Sequence, residues 1–165
     1  MSDRRLQDRL QPSLLDRLTD EAPGERTEAR GTRAIDARRL REILQRDLAW
    51  LLNTCNLEDQ IDAEAWPQAA ASVLNYGVSD VAGAYSVQTR AGLIRDAIRR
   101  AIAAFEPRID ASTLTVLQRS EEHARETVIS YDIRADMWAQ PLPLNLYLRT
   151  EVDVTTGALK IDTVG

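Results

Sequence analysis

The apolar residues of this chain keep one period up to Pro107 and another beyond it, and that switch fixes the order in which helices and strands must come. Before the switch, Leu40, Ile43, Leu44, Leu48, Leu51 and Leu52 recur at three-four spacing, which predicts a helix with one apolar face and Asp36 as its N-cap. Ile94, Ala97, Ile98, Ala101, Ile102 and Phe105 predict another, capped by Thr89, with Arg95, Asp96, Arg99 and Arg100 on its opposite face. Between them, Trp66-Pro67 opens a shorter, partly buried helix that ends near Asn75-Tyr76-Gly77, where glycine supplies the left-handed residue. Trp50 lies off the centre of its stripe and either widens the buried face, the expectation here, or projects towards a second surface.

After Pro107 the pattern alternates. Leu114 and Val116, then Ile129, Tyr131, Ile133, Ala135 and Met137, read as half-buried strands. The clearest alternation sets Leu144, Leu146, Leu148, Thr150, Val152 and Val154 against Asn145, Tyr147, Arg149, Glu151 and Asp153. Thr155-Thr156-Gly157 turns the chain into a last strand at Leu159 to Ile161, at a sheet margin. Helices first and antiparallel strands later make the fold class α+β: N-terminal helices followed by a small antiparallel sheet.

Leu6, Leu10, Leu14 and Leu18 fall four apart and predict an arm helix over about Pro12 to Thr19. Asp20 to Ala34 carries Pro23, Gly24 and Gly31 among charges and reads as a solvated linker, so the arm is tethered and not packed in. The expected organisation is residues 1–34 as arm and linker and 35–165 as a single domain, a size that suits one core.

Lys and Arg total 21 against 26 Asp and Glu, a formal charge of −5, which argues against broad nucleic-acid binding and favours protein partners. No apolar run approaches the roughly 20 residues of a bilayer span and Met1 to Arg9 holds no signal core, so the expected location is cytoplasmic. One Cys55 and one His123 cannot by themselves build a zinc site, and no metal or other cofactor is expected. His123 reads as a solvated turn residue and Cys55 as a small residue at a helix end.

Glu106-Pro107-Arg108 carries the most chemistry. Proline disfavours helical backbone in the residue before it, so the helix stops at Phe105 or Glu106 and leaves a carboxylate at its negative end. That placement costs roughly 0.3–1 kcal/mol unless a cation or donor satisfies it. Arg108 could do so across the kink, each charge could reach a partner chain, or the motif could be a plain helix stop with two solvated charges.

Four landmarks in order extend the motif to nearly the whole chain: Pro12 to Leu18, Asp47 to Thr54, Ser72 to Gly77, and Glu106 to Arg108. With them the chain resembles the TssE family of type VI secretion baseplate subunits, akin to the phage baseplate wedge proteins once labelled lysozyme-related. The resemblance implies a structural wedge subunit of a contractile injection machine, docked near the inner membrane. It implies that Glu106, Pro107 and Arg108 meet the core bundle of TssF and TssG, and TssK indirectly. It also implies that the strand region pairs with the first sheath ring of TssB and TssC and helps start sheath assembly. An open edge near Tyr147 to Val154, which adds Tyr147 and Arg149 to the protein-binding residues, or at Leu159 to Ile161, would receive the incoming strand. Arg108→Ala is then expected to disrupt assembly and leave the isolated fold intact.

Two alternatives belong to other classes. The old family label suggests a muramidase with Glu106 as general acid and Asp110 nearby, but Arg108 beside Glu106 favours the charged carboxylate, whereas a general acid must hold its proton. A free-standing regulatory domain would share the fold and lack assembly contacts.

Overall fold

The computed structural model describes residues 13–20, 23–24, 35–79, 87–119, 127–138 and 143–163. Among them, helices α1 (Leu14–Leu18), α2 (Ala37–Leu52), α3 (Pro67–Ala70) and α4 (Val87–Phe105) precede strands β1 (Thr115–Arg119), β2 (Val128–Met137), β3 (Leu144–Asp153) and β4 (Leu159–Thr163). The α+β order follows the change of period at Pro107.

The Asp36 carboxylate accepts the Arg39 N–H at 2.7 Å and caps α2, whose six periodic Leu and Ile residues are all buried. Trp50 departs from expectation: it is 51% exposed, and the Arg46 guanidinium lies 4.9 Å from its ring centroid. Helix α4 buries Ile94, Ala97, Ile98, Ala101 and Ile102 and stops at Phe105. It begins two residues before Thr89, so Thr89 has helical backbone and does not adopt the extended conformation of an N-cap.

The helix expected from Trp66 to Asn75 is broken in two. Pro67 starts α3 as foreseen, but the Ser72 hydroxyl donates to the Ala69 carbonyl at 2.8 Å and accepts the Leu74 N–H at 3.2 Å. These local bonds compete with the helical ladder, which ends at Ala70 and resumes only as a 3-10 turn over Val73–Asn75. Trp66, Val73 and Leu74 consequently stand well exposed, against the partly buried helix expected there. Gly77 closes this loop with φ +124°, and a Cβ there would lie 2.2 Å from the Thr54 carbonyl oxygen. The close approach arises because Val78 N–H donates to Thr54 at 2.8 Å and Asn56 N–H donates to Val78 at 3.0 Å.

The strands form an antiparallel meander in the order β1-β2-β3-β4. Ile133 lies opposite Val116 on one side and Leu148 on the other, and Thr150 lies between Tyr131 and Ile161, so one sheet face is largely apolar. Helix α2 lies against β3 and β4, α4 against β1, and the helices pack on each other, giving two layers around one core. Tyr131 is fully buried there; its hydroxyl donates to the Ala91 carbonyl at 2.8 Å, and burial pushes its ionisation well above the usual tyrosine range.

The sheet edges are β1 and β4. The stretch expected as an open edge at Tyr147 to Val154 is mostly β3, which lies inside the sheet, paired with β2 along its length and with β4 over Leu148–Val152. The margin at Leu159 to Ile161 is where it was expected.

Helix α1 starts at Leu14, later than expected, because Ser13 is its N-cap and bonds with both the backbone amide and the carboxylate of Asp16. Leu14, Leu15 and Leu18 remain exposed. Pro12, most of the linker and His123 lie outside the described residues.

Candidate functional site

Helix α4 delivers Glu106 to the site by ending. Its last ladder bond runs from Glu106 N–H to the Ile102 carbonyl at 2.9 Å; Pro107 offers no donor, and Ile109 N–H turns back to Glu106 at 3.1 Å. The chain then clips onto the end of β2. Trp138 N–H donates to the Arg108 carbonyl at 2.8 Å, Asp110 N–H to the Asp136 carbonyl at 2.9 Å, and Ile109 bridges Met137. Arg108 is thereby fixed between a helix end and a strand end.

Its guanidinium folds back over Glu106. Arg108 donates from Nε to Glu106 Oε1 at 2.7 Å and from Nη2 to Oε2 at 2.5 Å, and its backbone N–H reaches Oε1 at 3.1 Å. The Glu106 side chain is only 7% exposed, so these are not two solvated charges beside a helix stop. Burial of the carboxylate is tolerated because the forked guanidinium and an amide satisfy it.

Arg108 also donates from Nη2 to Asp47 Oδ2 at 2.6 Å, which ties the motif to α2. Asp47 is in turn held by Arg46 at 2.6 Å, and Arg46 donates to Asp16 of α1 at 2.6 and 3.2 Å. Five charges therefore alternate in a chain, Asp16, Arg46, Asp47, Arg108 and Glu106, across α1, α2 and the segment after α4. The hydrogen bond donated by Arg46 lowers the Asp16 carboxyl below its ordinary range, and the bond that Arg108 donates to Glu106 strengthens the hold of Arg108 on its proton. Tyr76, edge-to-face with Phe105 at 5.3 Å between centroids, has its phenol pushed up first by burial and then by the charges of Asp47 and Glu106.

These residues floor a cleft of about 260 Å³ walled by Trp50, Tyr76 and Phe105, with Leu15 of α1 at its lip. Arg108 Nη1 is buried without a hydrogen-bond partner among the described residues. Pro107, the middle of the motif, is exposed, as is Trp138 one strand-end away.

Tyr147 and Arg149 are not part of this cleft. They stand on the outer sheet face, where the Tyr147 hydroxyl donates to Asp132 at 2.9 Å, Arg149 Nε lies 3.8 Å from the same carboxylate, and Arg134 lies 4.9 Å over the Tyr147 ring. Asp110, the second carboxylate of the muramidase alternative, accepts from the amide and hydroxyl of Ser112, which hold it below the usual carboxylate range. Cys55 is exposed, with its backbone bridged to Val78. Among the described residues no group of three or more His, Cys, Asp or Glu is placed to hold a metal ion.

Sequence reasoning named Glu106, Pro107 and Arg108 and missed Asp47, Arg46 and Asp16. Both aspartates sit inside landmarks singled out for other reasons, but pairing over 61 and 30 residues leaves no local signal.

Alternating charges that hold separate segments together beside a cleft suit the class of structural subunits. Comparison with known families gives that class a lineage: the family model of baseplate wedge protein gp25 matches residues 38–142, and the chain belongs to this family. The matched span contains Asp47 and the whole Glu106-Pro107-Arg108 segment and stops just before β3. Searches of curated proteins and of solved structures returned no match. No helix among the described residues is long and apolar enough to cross a membrane.

Proposed function

We propose that this baseplate wedge protein is the TssE-type subunit of a type VI secretion machine. It joins the TssF and TssG core bundle, and TssK through them, to the first sheath ring of TssB and TssC. In this reading it works in the cytoplasm at a baseplate docked near the inner membrane, with residues 1–34 as an arm and 35–165 as the wedge domain. The observation that carries it is the half-buried Arg108, which is pinned by Glu106 and Asp47 yet keeps a buried Nη1 without a partner among the described residues, beside a cleft of mixed polar and apolar lining. An acceptor on an incoming helix would complete that guanidinium, and truncating such a contact typically costs about 2–5 kcal/mol of association. Glu106 and Pro107 hold its geometry; Tyr147 and Arg149 are proposed as contacts on the outer sheet face.

We read the subunit as non-enzymatic. Both carboxylate oxygens of Glu106 are engaged by the Arg108 guanidinium, and Asp110 is bound into its own turn, which suits neither partner of a glycosidase pair.

The test is co-purification with co-expressed TssF and TssG, comparing wild type with Arg108→Lys, which keeps the charge and loses the fork. Recovery of wild type with loss of a folded variant is expected. Equal recovery would move the joint away from Arg108, and failure of wild type to associate would reject the partners.

A further inference from the structure

An edge strand exposes a row of backbone donors and acceptors. On β4 part of that row is already occupied, by the side chains of Gln45 in α2 and of Asn53 just past its end. The bond from Asp153 N–H to the Ala158 carbonyl sets the alternation, so Lys160 and Asp162 turn their backbone groups to β3 while Leu159 and Ile161 turn theirs outward. Asn53 meets Leu159 from outside with both halves of its amide: Leu159 N–H donates to Asn53 Oδ1 at 2.9 Å, and Asn53 Nδ2 donates to the Leu159 carbonyl at 2.8 Å. Two residues on, Gln45 Nε2 donates to the Ile161 carbonyl at 2.8 Å. A carboxamide presents the same donor and acceptor as a peptide group, so the pair at Leu159 has the hydrogen-bonding pattern of a neighbouring strand.

We propose that Asn53 and Gln45 are placeholders that keep β4 ready for strand exchange, holding the positions that an extended segment of a partner would take. The partner this surface fits is a strand that supplies its own N–H and C=O groups at Leu159 and Ile161 and displaces the two amides. Because side-chain amides are exchanged for backbone amides, bonds lost and gained nearly balance, and capture is reversible and selective for an extended chain. While the amides are in place, the edge is closed to stray pairing, including pairing with a second copy of this chain. The proposal deepens the sheath-contact reading by assigning it an edge and a mechanism.

The test uses this chain alone, so it does not depend on the sheath partners. Residue-resolved hydrogen exchange and light scattering compare wild type with Gln45→Ala/Asn53→Ala. The expected result is a folded variant whose Leu159 amide exchanges roughly tenfold faster when dilute and that forms a concentration-dependent dimer protected at Leu159 and Ile161. A folded, monomeric variant with unchanged exchange would overturn the proposal. Asn53 also bonds the Ala49 carbonyl at the end of α2, so Gln45→Glu serves as a second variant should the double variant fail to fold. Ionised, Glu sets a carboxylate against the Ile161 carbonyl and opens the edge; protonated, it donates as Gln does and closes it. Self-association that appears above the carboxylate range and vanishes below it is expected, and pH-independent behaviour would overturn the placeholder role. If the edge opens as expected and the sheath proteins TssB and TssC still do not bind, the sheath reading fails and the placeholder role stands.

Discussion

At Arg108 one side chain serves two neighbours, and this changes what its removal should do. Arg108→Ala leaves Glu106 buried without its fork and Asp47 without one of its two guanidinium partners. Breaking a buried pair from one side typically costs about 3 kcal/mol or more, so the isolated fold should be weakened, contrary to the expectation from sequence. A urea midpoint well below wild type, partly restored in Glu106→Ala/Arg108→Ala, is the expected outcome. This is why Arg108→Lys is the better probe of assembly. Gly77 is the other decisive single residue. Gly77→Ala combines positive φ with a 2.2 Å clash against backbone and should cost roughly 2 kcal/mol or more, measured as a shift in the same midpoint. The need for glycine there was legible from its place after a helical stretch; the Thr54 carbonyl that enforces it was not.

Among the elements, α2 and β3 were the most legible because their apolar residues repeat within a turn or a pleat, and the structure buries the six residues of α2 and the inner row of β3. Helix α3 was read too long because serine bonding to nearby backbone is invisible to hydrophobic period. The candidate site was half legible: a proline after a glutamate marks a helix end, but nothing local in Asp47 or Asp16 says which arginine it will meet. Helix α1 illustrates the gap, since leucine spacing marked a tethered arm helix and nothing local said that Asp16 would pair with Arg46 of α2. That contact is pH-dependent. Arg46 holds the Asp16 carboxyl below its ordinary value, so docking is fully stabilised above the usual carboxylate range and lost as pH falls through the lowered value. Protease susceptibility near Leu18 should rise over that acid window, and in Asp16→Ala it should be high at all pH values.

For the whole molecule, we propose that the two-layer core stands without the arm. No residue of α1 is buried, while both longer helices and all four strands contribute to one apolar cluster. Deleting residues 1–20 should therefore leave a single cooperative thermal transition, and its collapse would place the arm in the core. The order of layers and the margin at β4 followed from the sequence pattern, but the interior place of β3 did not, because pairing partners are set by contacts distant in sequence.

The way α1 is attached has a consequence for handling the protein. It is held down by an ion pair and faces outward with Leu14, Leu15 and Leu18. Added salt screens the first and, for salts such as sulfate, strengthens association of the second. The two effects act in the same direction, so a concentrated sulfate buffer both frees this segment and makes it adhesive. A preparation that is monodisperse in dilute buffer is expected to cluster during salting-out and to disperse again on dialysis.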